Sequence, residues 1–119
     1  CRDSFAAMGL VLEALAAGRK PVSALVRALP RYVLLKDRIE GSAERAHRLI
    51  NILKKRYENT GVVNLLDGLK VDFPDHWIHV RPSNTEPIIR VLAEAKTEAQ
   101  ARRALESLRN EIAAGWKKI

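Results

Sequence analysis

The dipeptide Asp67-Gly68, set between apolar runs in GVVNLLDGLKVDF, constrains the fold of this chain more than any other feature. Asp-Gly in that setting is a strong short-range hairpin signal, because a type I′ turn needs positive φ at both central positions. Beyond the turn, Leu69, Val71 and Phe73 alternate with Lys70 and Asp72, the mark of a half-buried strand. Pro74-Asp75 makes the next turn. WIHVRP then continues with Ile78 and Val80 on one face and Trp77, His79 and Arg81 on the other, and IIRVLAEA reads as a further strand. Strands with one apolar face need a cover.

Two segments have the pattern to provide it. Ser42 can cap a helix running to about Tyr57, with a buried stripe of Ala46, Leu49, Ile50, Leu53 and Tyr57. Its other face, with Arg45, Arg48, Lys54 and Lys55, reads as solvated. Thr97-Glu98-Ala99-Gln100 is a capping box that opens a last helix, striped by Ala101, Ala104, Leu105, Leu108 and Ile112. RYVLLK, 31–36, is a strand ahead of both helices. From residue 31 onward the order predicts an α+β layer, a mainly antiparallel sheet of about four strands with two helices on one face.

The first thirty residues read differently. DSFAAMGLVLEALAAG is a helix that Asp3 or Ser4 can cap and Gly18 can end, apolar nearly all round and so expected to pack against something that a fragment can lack. KPVSALVRALP is a second short helix, with Pro21 in its first turn and Pro30 stopping it. Pro30 is the expected boundary between residues 1–30, the helical tail of one domain, and residues 31–119, another. The absence of an initial Met and the early apolar helix suggest a piece of a longer protein.

Composition narrows the function classes. No apolar run approaches the ~18 residues of a membrane span, and the lone Cys1 has no intrachain disulfide partner. With no Asn-x-Ser/Thr sequon, that fits a reducing cytoplasm, the expected location. The 21 Lys and Arg exceed the 14 Asp and Glu, for a formal charge of +7. A basic surface concentrates anionic partners, whether phosphorylated metabolites or nucleic acid. No cysteine cluster, glycine-rich nucleotide loop or Ser-His-Asp set is present, and His76 and His79, three apart on a strand, point to opposite faces. No metal site and no catalytic residue are assigned.

The densest group of hydrogen-bond donors is RPSNTEP, 81–87. A phosphate dianion is held well by a planar guanidinium, small hydroxyls and unpaired backbone N–H groups in a turn. Arg81, at a strand end, and Ser83, Asn84 and Thr85 offer all of these, and Arg90 lies on the next strand. The same residue types also build ordinary strand connections, so both readings stand at this level. Glu86 suits an anion pocket only as a partner that orients Arg90 or meets sugar hydroxyls.

VRPSNTEPIIRVLAEA resembles the phosphate-binding signature of the α-D-phosphohexomutases, the superfamily of phosphoglucomutases, phosphomannomutases and phosphoglucosamine mutases. DGLKVDFPDHWIHVRPSNTEP is similar to that family's approach to the loop, and RDSFAAMGLVLEALAAG to the helix closing its third domain. The resemblance implies a fourth, C-terminal domain similar to the TATA-binding-protein fold, preceded by the end of the third. It implies an isomerase that moves a phosphoryl group between positions 1 and 6 of a hexose phosphate. Arg81, Ser83, Asn84 and Thr85 would grip the non-reacting phosphate, with Glu86 and Arg90 in support. Magnesium and a phosphoserine are expected in the parent enzyme, upstream of this chain, which alone is expected to be inactive. Expected partners are hexose 1- and 6-phosphates and the other three domains, with no membrane. Phosphoglucosamine mutases usually have Gly where Asn84 stands, so the resemblance leans towards mannose or glucose phosphates. The alternative is a basic α+β nucleic-acid-binding module, which would need a continuous basic stripe and exposed aromatic side chains. Two Trp, two Tyr and two Phe, several at core-like positions, make nucleic acid the weaker partner.

Overall fold

The computed structural model describes residues 3–117, so Cys1 lies outside them. The chain divides into two compact units, residues 1–31 and 32–119. The first holds α1 (Ser4–Gly18) and α2 (Val22–Ala28). Asp3 caps α1 by accepting from the Ala6 N–H at 2.9 Å. The helix runs through Gly18, and the left-handed residue that ends it is Arg19, at φ 47°. Its N–H reaches the Leu15 carbonyl at 3.0 Å, a closing bond that offsets the strain of a non-glycine residue there. Pro21 sits just outside α2, as its cap, rather than in its first turn. The cover expected for α1, which a piece of a longer protein can lack, is not seen among the described residues. None of its residues is buried, and Phe5 is 84% exposed.

The second unit contains β1 (Val33–Glu40), α3 (Ala43–Tyr57), β2 (Val62–Asn64), β3 (Leu69–Asp72), β4 (His76–Pro82), β5 (Ile88–Ala95) and α4 (Glu98–Trp116). The five strands form one sheet in the order β1-β5-β4-β3-β2, with every neighbouring pair antiparallel. This is the α+β layer expected. Its fifth strand is the three-residue β2 at one edge, and β1 runs four residues further than the RYVLLK segment, to Glu40, two residues before the Ser42 cap of α3. Asp37-Arg38-Ile39-Glu40 carries few strand-favouring residues. It is held extended by its ladder with β5, from Val33↔Ala95 to Glu40↔Ile88.

The core lies between one sheet face and the two helices. Rows such as Leu69–Val80–Val91 and Val71–Ile78–Ala93 follow from the register and are buried, each at most 3% exposed. From α3, Ala46, Leu49, Ile50 and Leu53 close on them, and from α4, Ala101, Ala104, Leu108 and Ile112. Tyr57 and Leu105, read as part of those stripes, are only half-buried at the edge of the core. The Ser42 and Thr97 hydroxyls accept from the third N–H of their helices, at 3.3 Å each.

Burial and the carboxylate of Glu111 push the Tyr57 hydroxyl from 10.0 up to about 12. Its ring meets Phe73 edge-on, 5.8 Å between centroids. Because the folded-state value lies above the unfolded one, the neutral ring's contribution is complete below pH ~10 and disappears as pH rises through about 12. Denaturant unfolding from pH 8 to 12 is expected to show an alkaline loss of about 2 kcal/mol at most from this group. Tyr57→Phe should flatten that part of the profile, and an unchanged slope would remove Tyr57 as its source.

Candidate anion-binding site

The hairpin turn that places Arg81 is not a two-residue type I′ turn. Among the described residues outside glycine only Arg19 has positive φ, so Asp67 does not, and Gly68 alone supplies it at 79°. The connection spans residues 65–68, and the Asn64 side chain accepts the Leu66 N–H at 2.9 Å. Four-residue loops of this kind need one left-handed position rather than two. The turn leaves Asp67 beside β4, where its carboxylate accepts from Arg81 Nη1 at 3.0 Å. The Asp67 carbonyl lies 2.5 Å from His79 Nε2. Arg81 is thus tethered at the sheet edge of the loop.

The other face of the sheet is the one that α3 and α4 leave uncovered. Period-two alternation places Trp77, His79 and Arg81 of β4 there, together with Arg90 and Leu92 of β5 and Lys36 and Arg38 of β1. Register aligns Arg38, Arg90 and Arg81 in a single row across three neighbouring strands. A cleft of about 530 Å³ opens over this row, and its lining includes Lys36, Arg38, Arg81, Glu86 and Arg90. Ile88 and Leu92 give it an apolar floor. Glu86 stands 3.5 Å from Arg90, an ion pair longer than a good charge-assisted hydrogen bond.

Residues 83–87 join β4 to β5 at one end of this cleft. The Ser83 N–H is spent on the Ile88 carbonyl at 2.9 Å, and the Pro87 carbonyl accepts from Gly41 at 2.9 Å. Among the described residues, no protein acceptor takes the N–H of Asn84, Thr85 or Glu86. The proposed site residues therefore fall into two groups. Arg81, Glu86 and Arg90 line the cleft, while Ser83, Asn84 and Thr85 sit on the adjoining loop, the last two exposed, and do not line it. Lys36 and Arg38 were missed in the sequence reading. Their signal was available, two basic residues at i and i+2 in a strand, but their neighbours on β5 lie more than fifty residues downstream. His76 lies away from the cleft, stacked on Phe73 at 4.5 Å and paired with Asp75 at 2.7 Å. That bond holds the exposed Asp75 carboxyl below the usual carboxylate range.

The family model for the phosphoglucomutase/phosphomannomutase C-terminal domain matches residues 33–111. The chain belongs to this family. As a phosphohexomutase C-terminal domain it is 32% identical over 114 residues to a probable phosphoglucosamine mutase of Pyrococcus horikoshii, covering 92% of this chain and 25% of that protein. It is 33% identical over 105 residues to a phosphoglucomutase/phosphomannomutase of Thermococcus kodakarensis, covering 88% of this chain and 23% of that protein. The crystal structure of a phosphoglucomutase/phosphomannomutase family protein from Burkholderia thailandensis superposes with a TM-score of 0.61 at 29% identity, over 78% of this chain and 20% of that one. The phosphohexomutase domain thus spans about a quarter of the length of the curated relatives it matches.

Proposed function

We propose that residues 32–119 hold the non-reacting phosphate of a hexose phosphate and close the active-site cleft of a parent mutase. That enzyme moves phosphate between positions 1 and 6, with mannose or glucose as the sugar. The observation that carries this reading is the paired register of Arg81 and Arg90, on the sheet face away from α3 and α4 and beside a loop with three unpaired N–H groups. Two guanidiniums beside a loop with unpaired amides suit a dianion better than a neutral group. A mutase must bind its sugar in both orientations, and donors that recognise only phosphate serve either end. Binding energy gathered there positions the distant reacting end. Residues 1–31, with their exposed apolar helix, are the tail of the preceding domain. Magnesium and a phosphoserine belong to the parent's other domains. In this reading the residues of this unit bind and orient the substrate, and turnover needs the parent's other domains.

The test is an NMR titration of the 119-residue chain with glucose 1-phosphate, glucose 6-phosphate, their mannose and glucosamine counterparts, and a short DNA duplex. Saturable shifts at residues 81–90 are expected with both 1- and 6-phosphates. Arg81→Gln should weaken them about tenfold or more, the scale of a lost charged hydrogen bond. Unchanged affinity in a folded Arg81→Gln would overturn the assignment. Tighter, salt-dependent binding to the duplex would favour the nucleic-acid reading instead.

A further inference from the structure

We propose that β1 supplies a third cationic arm to this site, with Arg38 binding the same phosphate monoester that Arg81 and Arg90 face and Lys36 flanking it. The inference rests on the phosphate reading above and extends it to a strand outside the RPSNTEP signature.

Three observations converge on it. Arg38 is the direct cross-strand neighbour of Arg90, which is in turn the neighbour of Arg81. Adjacent strands stand about 4.8 Å apart, so the outer two arginines begin about 10 Å from each other. Long flexible side chains from both ends can meet over the middle one. A phosphate presents three strong acceptor oxygens, enough to take donors from all three.

Charge balance along the row is uneven. Asp67 neutralises Arg81 at one end, and Glu86 lies near Arg90. Among the described residues no acidic side chain lies within ion-pair distance of Lys36 or Arg38. Asp37, between them in sequence and also in the cleft lining, pairs its carboxylate with Arg109 of α4. Like charges directly opposite on neighbouring strands destabilise a sheet. A bound dianion would relieve that repulsion where no carboxylate does.

The cleft also has the right composition for a phosphorylated sugar. Ile88 and Leu92 lie beside the cationic row and offer apolar contact to the C–H face of a ring, while Glu86 can accept from its hydroxyls. Trp77, the aromatic residue of this face, is engaged by Glu94 at 2.9 Å and lies outside the cleft. A stacking platform for bases is therefore absent from the cleft lining, which favours a sugar phosphate over a nucleic acid.

The experiment is a glucose 6-phosphate titration at low salt, followed through backbone amides and the arginine Nε–Hε signals. Four variants accompany the wild type: Arg38→Gln, Arg38→Lys, Arg81→Gln and, as a control for general charge, Lys54→Gln on the exposed face of α3. Arg38→Gln is expected to weaken binding about tenfold. Arg38→Lys should recover part of the loss, since it keeps the charge without the planar fork. Lys54→Gln should stay within about twofold of wild type, as a screened remote charge does. The Arg38 Nε–Hε signal should move on saturation. Wild-type affinity in Arg38→Gln, with loss in Arg81→Gln, would overturn this inference and leave the loop reading standing. The reverse pattern would remove the loop reading and keep the β1 site. No saturable binding by the wild type would overturn both.

Discussion

Gly68→Ala is expected to destabilise the second unit by about 2–4 kcal/mol and to loosen the position of Arg81 at the same time. The residue sits at φ 79°, where an L side chain is strained. Conformation is the smaller part of the problem. A Cβ on Gly68 would lie 2.3 Å from the Val80 carbonyl oxygen and 2.8 Å from the Arg81 Cβ. Neither obstacle is the free end of a flexible chain, so β3 and β4 must separate or the turn must rebuild. Left-handed strain alone costs about 1–2 kcal/mol, and backbone displacement in a paired ladder adds to it. Denaturant unfolding measures the loss, and a change within about 0.5 kcal/mol of wild type would show that the turn yields freely. Phosphate affinity of the folded variant should also fall several-fold, because the displaced backbone is that of Arg81 itself. Stability and binding are coupled at this position through one turn.

That coupling also marks where the sequence was readable. Alternation placed Ile78 and Val80 beneath the helices and Trp77, His79 and Arg81 on the open face, and the register agrees residue by residue. The helix stripes and the Ser42 and Thr97 caps were equally legible, because periodicity and capping act over a few neighbouring residues. Long-range geometry was not. The Arg38–Arg90–Arg81 row exists because β1 joins the far edge of β5, and no local pattern states which edge a strand will choose. Turn type failed for a related reason. Asp67-Gly68 permits a two-residue turn, but Asn64 captures the Leu66 N–H and the connection lengthens to four residues. Arg19 in the left-handed position, one residue beyond Gly18, is the same kind of miss. Polar side chains and closing hydrogen bonds decide such details within a single turn. Propensity alone does not reveal them.

Leu49→Ala is expected to cost about 3–4 kcal/mol while leaving phosphate affinity unchanged, and so to separate the two faces of the sheet. Leu49 is fully buried on α3. It packs against α4 at Gly115, where an added Cβ would stand only 3.0 Å from Leu49 Cδ1. Gly115 admits the leucine, and neither helix can easily move in to fill the space if it is lost. Buried Leu→Ala changes cost about 2–5 kcal/mol, more where the surroundings cannot collapse. For a unit of this size that is a large share of a total stability of about 5–15 kcal/mol. The site residues Arg38, Arg81 and Arg90 lie on the opposite face of the sheet from the helices. Glucose 6-phosphate affinity, measured where the variant remains folded, should therefore stay within about twofold of wild type, as for distant independent sites. A parallel loss of affinity would mean that helix packing sets the geometry of the open face. The anion site would then depend on the core as closely as it depends on Gly68.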